Sequence, residues 1–538
     1  MSSDQVSMSE IARRIGLTLP AVSNWRRRHP SFPSAEKADG RELFTVSEIS
    51  QWLDRRKISM KDLRSGELPG STYGARFRRA TGSVDVSSET IDADLWNKLI
   101  PLAGTGDIAV FADLVLGLLY LALSDERRWN EIMTADGLRR LELVELASLD
   151  QLTMLSDLHR ARGVFLGDPR GETLIAEVIQ LVDRMRQSGH GAEVFEFLLD
   201  RFADVEGRRG ATVHTPSTIV RLVVELAAPE SGASVFDPCC GSGGFLVYAA
   251  KYIAAGGDRA VNASFAGYTL SERSASLARM NLWLHGVPAN VDVRADMIFD
   301  DGTLIENKRS NVIMSNPPFD MKGPVRAALM TDPHGYGSSA RKRSSYAWLQ
   351  YVVSSMTDDG RAAVVMPGGA LFRGGVEKQL RARMIDDGIV EAVVALPSGL
   401  FTSTGIPVTV WLLGQQAKPR GDDILLIDAS DLGHMISRTQ RRLSGEDRSR
   451  IVSTVMRWRT RDGYEDVQGF SASVAVRRIR EQDYVLTPAR YVGRSVSLEM
   501  PLSSVRELRD DLSRLGQKAV DLDKEVDRQL DRIHAWMR

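Results

Sequence analysis

The chain has 538 residues, of which 43% are hydrophobic and 26% charged, and its mean hydropathy is -0.18. That length exceeds one ordinary core and predicts three or more domains of a globular protein. A formal net charge of -1 excludes a uniformly basic nucleic-acid binder, so any such surface must be a local patch.

The opening Met1-Ser2-Ser3-Asp4 has no basic-then-apolar leader. The most apolar helical stretch, 110–123, contains Asp113 and is shorter than the ~20 residues a bilayer span needs. The two cysteines, Cys239 and Cys240, are adjacent, which gives neither a disulfide framework nor metal-ligand spacing. The expectation is a cytoplasmic protein with no metal site and no membrane partner.

Residues 7–58 read as a small DNA-binding module. Ser9 is placed to cap a helix whose Ile11, Ala12 and Ile15 share one face, Gly16-Leu17-Thr18 turns, and Pro20 opens a second helix through Arg28. The end of that helix offers Ser23, Asn24, Arg26, Arg27 and Arg28 to DNA. Gly40 to Phe44 form a short wing, and Ile49, Trp52 and Leu53 mark a further helix. The pattern resembles winged helix-turn-helix modules of the MerR and excisionase type. Residues 1–80 carry 15 Lys and Arg against 9 Asp and Glu, a local basic excess. A helical protein-docking domain is the alternative.

Residues 63–90, rich in Gly, Ser and Arg, read as a linker after a module spanning 1–62. Helical periodicity fills 91–210, where Val194, Phe195, Leu198, Leu199 and Phe202 form one apolar stripe. From 211 to 420 short apolar runs alternate with helical ones. The predicted strands are 234–236, 264–268, 311–315, 362–366, 389–396 and 408–413. This alternation predicts a doubly wound, Rossmann-like α/β sheet, with ligands at the carboxyl ends of its strands.

In "VFDPCCGSGGFLV" (235–247) a strand runs into Asp-Pro, a glycine-rich turn and a helix. It lacks the Lys-Ser/Thr of a phosphate loop and the dinucleotide glycine spacing. Asp-Pro-x-x-Gly-Ser-Gly-Gly resembles the S-adenosylmethionine loop of DNA adenine methyltransferases. That resemblance implies cofactor contacts from Asp237, Pro238, Gly241, Ser242 and Gly243, the acid and loop holding the methionine part. Upstream, "HTPSTIVRLVVEL" (214–226) resembles the segment that closes the same pocket, which adds Thr215 and Pro216. At the end of the second strand the family places an acid against the ribose; this chain has Thr269 there, with Glu272 three residues on as the substitute. Asp296 matches the acid that faces the cofactor's adenine. The cysteines read as small turn residues.

"IMSNPPFDMKG" (313–323) carries the chemistry. The exocyclic amine of adenine is a poor nucleophile because its lone pair is delocalised into the ring. The Asn316 amide oxygen and the Pro317 carbonyl can accept hydrogen bonds from its two N–H groups and localise that pair on nitrogen, while Pro317 and Pro318 fix φ in advance. Phe319 offers a stacking face to a base taken out of the duplex. The same chemistry suits RNA bases and protein glutamine, which remain alternatives, as does a DNA-binding regulator on an inactive methyltransferase fold.

Stretches 194–210, 345–375, 393–413 and 483–492 resemble modification subunits of type I restriction–modification systems. The resemblance implies methylation of the adenine 6-amino group in DNA, within a restriction–modification or related phage-defence system. It also implies DNA contacts from Arg341, Lys342 and Arg343. By analogy Phe401 borders the base pocket, with core packing the equal alternative. Residues 421–538 read as a largely charged, helix-like extension with no evident second α/β or β-rich recognition domain. Within it Val505, Leu508, Leu512, Leu515, Ala519, Leu522 and Val526 follow the a/d spacing of a coiled coil. Related subunits use helices to contact a separate specificity subunit, the partner expected here; a restriction subunit or a second copy are further candidates.

Overall fold

The computed structural model describes residues 5–15, 17–29, 31–38, 41–45, 48–49, 52–53, 56, 73, 77, 95–104, 107–136, 139–140, 142–143, 169–208, 214–255, 262–294, 309–319, 345–402, 405–414, 422–493, 510 and 514. Asp296, Arg341, Lys342, Arg343 and all seven residues of the 505–526 seam lie outside the described residues.

The amino-terminal part holds β1 (Gln5–Ser7), α1 (Met8–Ile15), α2 (Leu19–Arg28), β2 (Glu36–Ala38) and β3 (Arg41–Thr45), with the three strands in the order β1-β3-β2. Helix α1 begins at Met8, one residue before the predicted cap, because the short strand β1 leads directly into it. Ile11, Ile15, Val22, Phe44, Ile49 and Trp52 share one core. Tyr73 and Phe77 join that core, buried beside it, so the predicted linker is corrected at its start. Two aromatics four residues apart outweigh the Gly, Ser and Arg around them.

A helical layer follows: α3 (Ile108–Ser124), α4 (Glu126–Thr134), α5 (Pro169–Gln187) and α6 (Gly191–Arg208). The stripe predicted on α6 is buried against α3 and α5. Among the described residues no single helix is long and apolar enough to cross a membrane.

The rest is one large mixed sheet with helices on both faces. In chain order it comprises α7 (Ser217–Ala227), β4 (Ser234–Asp237), α8 (Gly244–Ala255), β5 (Ser264–Thr269), α9 (Glu272–Leu284), β6 (Ala289–Val293), β7 (Ser310–Ser315), α10 (Ser345–Ser355), β8 (Met356–Pro367), α11 (Val376–Asp386), β9 (Val390–Ala395), β10 (Val408–Gly414) and β11 (Asp423–Asp428). The hairpin β12 (His434–Met435) and β13 (Arg441–Arg442), α12 (Gly445–Thr460), β14 (Ser471–Ala475) and α13 (Val476–Glu481) complete it. The nine-stranded order is β14-β11-β9-β10-β8-β7-β4-β5-β6. Strands β4 to β8 pair in parallel, β10 runs antiparallel to both its neighbours, and β14 closes one edge antiparallel to β11.

All six predicted strands are present. The expected helical extension from 421 is corrected at its start: β11 pairs in parallel with β9, and β14 extends the sheet to residue 475. The boundary at 420 therefore cuts through the sheet.

Side chains alternate across it with period two. Val235, Val312 and Met314 enter one core with α7, α8 and α12; Phe236 and Ile313 enter the opposite core with α10 and α11. Burial on both faces explains why these strands read as continuous apolar runs. After β4 the chain builds outward through β5 and β6, then crosses back to lay β7 on the other side of β4. That reversal opens a crevice at the carboxyl ends of β4 and β7, the switch point where such sheets bind ligands.

Candidate active site

Both chemistry-bearing motifs meet at this crevice. Backbone pairs join Val235 to Val312 and Phe236 to Ile313, so Asp237, Ser315 and Asn316 lie beyond the last paired residues. At the opposite end the strands are stitched together: the Ser234 amide donates to Asn311 Oδ1 at 2.8 Å, and the Asn311 amide donates to Ser234 Oγ at 3.0 Å.

Asp237 is fully buried. Its Oδ1 accepts from the Cys239 amide at 2.9 Å, while Oδ2 has no hydrogen-bond partner among the described residues. Burial pushes its pKa up to about 7; the Cys239 amide, and the Ser315 hydroxyl lying near it outside hydrogen-bond geometry, only partly oppose that rise. The loop beyond it turns through Gly241 (φ 51°) and Gly243 (φ 79°), left-handed conformations that suit glycine. It is tied down by the Cys240 amide donating to the Tyr268 carbonyl at 2.8 Å and by Asn281 Nδ2 donating to the Ser242 carbonyl at 2.9 Å. The cysteines are structural, as read. Burial, then Asp237, pushes both thiols up, and a Cβ on Gly267 would meet Cys240 Sγ at 2.6 Å.

Asn316 is buried at the end of β7. Its Nδ2 donates to Thr215 Oγ1 at 2.9 Å, and its Oδ1 has no partner among the described residues. The acceptor expected to meet the amine is thus free. Pro317 is buried, Pro318 and Phe319 are half-buried, and Ser345 Oγ donates to the Phe319 carbonyl at 3.5 Å. Thr215, expected at the cofactor, makes its described contact with Asn316. Pro216 is the cap residue of α7. Phe401 belongs to the core beneath the sheet, which decides for packing between its two readings.

At the ribose position Thr269 is buried and its hydroxyl donates to the Ser271 carbonyl at 3.2 Å. Glu272 is exposed on the first turn of α9. Its neighbour Arg273 reaches the helical layer, lying 2.8 Å from Asp113 and 2.9 Å from Glu206, both buried. His214 Nε2 donates to Asp200 Oδ1 at 2.6 Å. Burial alone would lower the His214 pKa, but Asp200, with Asp204 and Glu206 behind it, turns the shift upward.

Sequence reasoning missed Asn281, Arg273 and His214. Asn281 had a legible signal: a polar residue on the stripe of Ala278 and Leu282. The other two act across layers.

In the amino-terminal module the proposed DNA contacts are partly engaged within the module. Arg26 pairs with Glu42 of β3 at 2.6 Å, Arg27 donates to Asn24 Oδ1 at 3.0 Å, and Ser23 Oγ lies 3.2 Å from Met8 Sδ. Arg28 is exposed.

A buried acid with one unpartnered oxygen above a glycine cradle fits the methionine end of S-adenosylmethionine. With this sheet, it defines a class I S-adenosylmethionine-dependent methyltransferase. The family described as N-6 DNA Methylase matches residues 189–499. The HindI methylase subunit of Haemophilus influenzae, a type I restriction enzyme component, is 35% identical over 344 residues, 64% of this chain and 74% of that one. The MjaVII methylase subunit of Methanocaldococcus jannaschii is 30% identical over 419 residues, 71% and 69% of the two chains. A type I restriction–modification methyltransferase subunit from Streptococcus thermophilus shares the fold, with a TM-score of 0.60 at 22% identity, covering 76% of this chain and all of that one. The chain belongs to the N-6 DNA methylase family, among the type I restriction–modification methylase subunits. It is an S-adenosylmethionine-dependent, adenine-specific DNA methyltransferase.

Proposed function

We propose that the crevice between β4 and β7 divides the reaction between two strand ends. Asp237, Pro238, Gly241, Ser242 and Gly243 hold the methionine part of S-adenosylmethionine, with Glu272 toward the ribose and Asp296 toward the adenine. Bound there, the cofactor supplies an electrophilic methyl group on its sulfonium. Asn316 Oδ1 and the Pro317 carbonyl accept hydrogen bonds from the two N–H groups of the target amine and localise its lone pair. Phe319 stacks on the extruded base, which returns about 1–3 kcal/mol of the cost of flipping. Positive charge develops on nitrogen as the bond forms, and the proton leaves afterwards, so no general base is required at the start. The observation that carries this assignment is that Asn316 Oδ1 and Asp237 Oδ2, at the ends of neighbouring strands, are both buried and without a partner among the described residues.

We infer a division of labour along the chain as well. Residues 1–62 act as a winged helix-turn-helix that adds DNA affinity through Ser23, Asn24, Arg27 and Arg28, with Arg26 bracing the wing through Glu42. Arg341, Lys342 and Arg343 add phosphate contacts. Residues 91–210 brace the catalytic sheet, which runs on to residue 475. The 505–526 seam joins a separate specificity subunit. A methylation assay with synthetic duplexes tests this: the chain alone should bind DNA weakly with steep salt dependence, and site-specific transfer should require the partner and be impaired by removing residues 500–538. Site-specific transfer by the chain alone, lost on deleting 1–60, would overturn it and make the amino-terminal module the reader.

A further inference from the structure

We propose that Thr215 is a positioning residue for Asn316, fixing which end of the catalytic amide faces the substrate; this rests on reading Asn316 as the acceptor of the adenine amine. The terminal torsion of asparagine is soft and roughly two-fold, so packing alone distinguishes its oxygen poorly from its nitrogen. A reversed amide would point an NH2 donor at the NH2 of adenine, donor against donor, and the lone pair would stay in the ring. Thr215 Oγ1 biases that choice. A reversed amide can still take the Thr215 proton, but it buries both Nδ2 hydrogens without a described partner, where the observed one buries a single acceptor. Thr215 Oγ1 takes a hydrogen from Asn316 Nδ2 at 2.9 Å, so Oδ1 is left buried and without a partner among the described residues.

Thr215 is itself held on both sides. Pro216 caps α7, whose Ile219, Val220 and Val223 are buried in the sheet core. His214 is clamped to Asp200 of α6 at 2.6 Å. The hydroxyl is therefore fixed by one helix that packs on the sheet and another that belongs to the helical layer. Asn316 lies 101 residues away in sequence, and nothing local in its own strand provides such an anchor. The helical layer thereby acts on the chemistry through Asp200, His214 and Thr215 without touching substrate.

The test is Thr215→Val, nearly isosteric but without an acceptor, in the full chain assembled with its specificity subunit. Single-turnover methylation of a cognate duplex should slow roughly tenfold, the scale of one lost hydrogen bond, with S-adenosylmethionine affinity changed less than twofold. Thr215→Ser, which keeps the hydroxyl, should recover most of the rate. Circular dichroism and cofactor titration report folding of each variant; if Thr215→Val does not fold, a Thr215→Ser rate near wild type together with a slow, folded Thr215→Ala carries the same conclusion. An unchanged single-turnover rate in folded Thr215→Val overturns the proposal. So does a loss confined to cofactor affinity, which would return Thr215 to the cofactor pocket. Asn316→Ala runs alongside: if it retains full rate, the acceptor reading itself fails, whereas a dead Asn316→Ala beside a wild-type Thr215→Val defeats only the positioning role.

Discussion

Strands β4 and β7 lie side by side in parallel, and Asp237 at the end of one and Asn316 just beyond the other each carry a buried oxygen with no partner among the described residues. The two oxygens are prepared differently. Asn316 is neutral, and its nitrogen is satisfied by Thr215, so its oxygen waits at the ordinary cost of a desolvated acceptor, about 1–3 kcal/mol. Asp237 is a carboxyl held near neutrality by burial, with a pKa of about 7. In the proposed reaction one end is preorganised for a neutral amine. The other is held in suspense until a cation arrives.

The largest effect should come from the preorganised end. Asn316→Ala removes an acceptor used mainly in the transition state, so turnover should fall roughly 100- to 1,000-fold while cofactor affinity stays within about twofold. Radiolabelled methyl transfer and calorimetric titration of S-adenosylmethionine separate the two quantities. A native rate would end the comparison, because β7 would then contribute no chemistry.

The suspended end should reveal itself through pH. The folded-state pKa of Asp237 lies above its ordinary value near 4, so the folded chain holds this proton more tightly than the unfolded one. The sign is opposite to that of a salt-bridged carboxylate. Its contribution to stability is complete below about pH 4 and is lost as pH rises towards 7. Asp237→Asn should therefore raise the melting temperature of the cofactor-free protein at pH 8 more than at pH 5.5, while abolishing cofactor binding. Wild-type affinity for S-adenosylmethionine should weaken as pH falls below 7, by up to about tenfold per unit, with a proton released on binding near pH 6. Equal calorimetric heats in buffers of different ionisation enthalpy would show that no proton moves, and Asp237 would then meet the cofactor already charged.

How much of this was legible depended on whether the physics is local. Strands buried on both faces announced themselves as apolar runs, as in Asn311 to Ser315. The edge strands did not: β6 is Ala-Asn-Val-Asp-Val and β14 is Ser-Ala-Ser-Val-Ala, each short on large apolar residues. Strand β11 did carry a run, Ile424 to Ile427, but the charge around it outweighed that signal and placed it in a helical tail. Asp237 and Asn316 could be identified because each sits within its own motif. The Thr215–Asn316 contact spans 101 residues and the Arg273–Asp113 pair 160, and no window of sequence contains either. The orientation of the catalytic amide is therefore a property of the fold alone.

The smallest predicted effect concerns the cofactor's ribose, where this chain departs from its family's pattern. A ribose hydroxyl needs an acceptor. Thr269 is buried and gives its own proton to the Ser271 carbonyl, which leaves its oxygen able to accept but as a neutral group without a carboxylate's charge. Glu272 is exposed on the first turn of α9, where the helix dipole favours a carboxylate. That turn is not free to drift, because Arg273 is anchored to Asp113 and Glu206 in the helical layer. A carboxylate on an anchored turn is a usable ribose acceptor, but an exposed one, competing with water. Glu272→Ala should weaken S-adenosylmethionine binding only about three- to tenfold, leaving the single-turnover rate at saturating cofactor unchanged. Glu272→Gln, which keeps an acceptor without the charge, should fall between. If both variants bind as tightly as the wild type, the ribose is held by Thr269 or by water, and the cofactor half of the site rests on Asp237 and its loop.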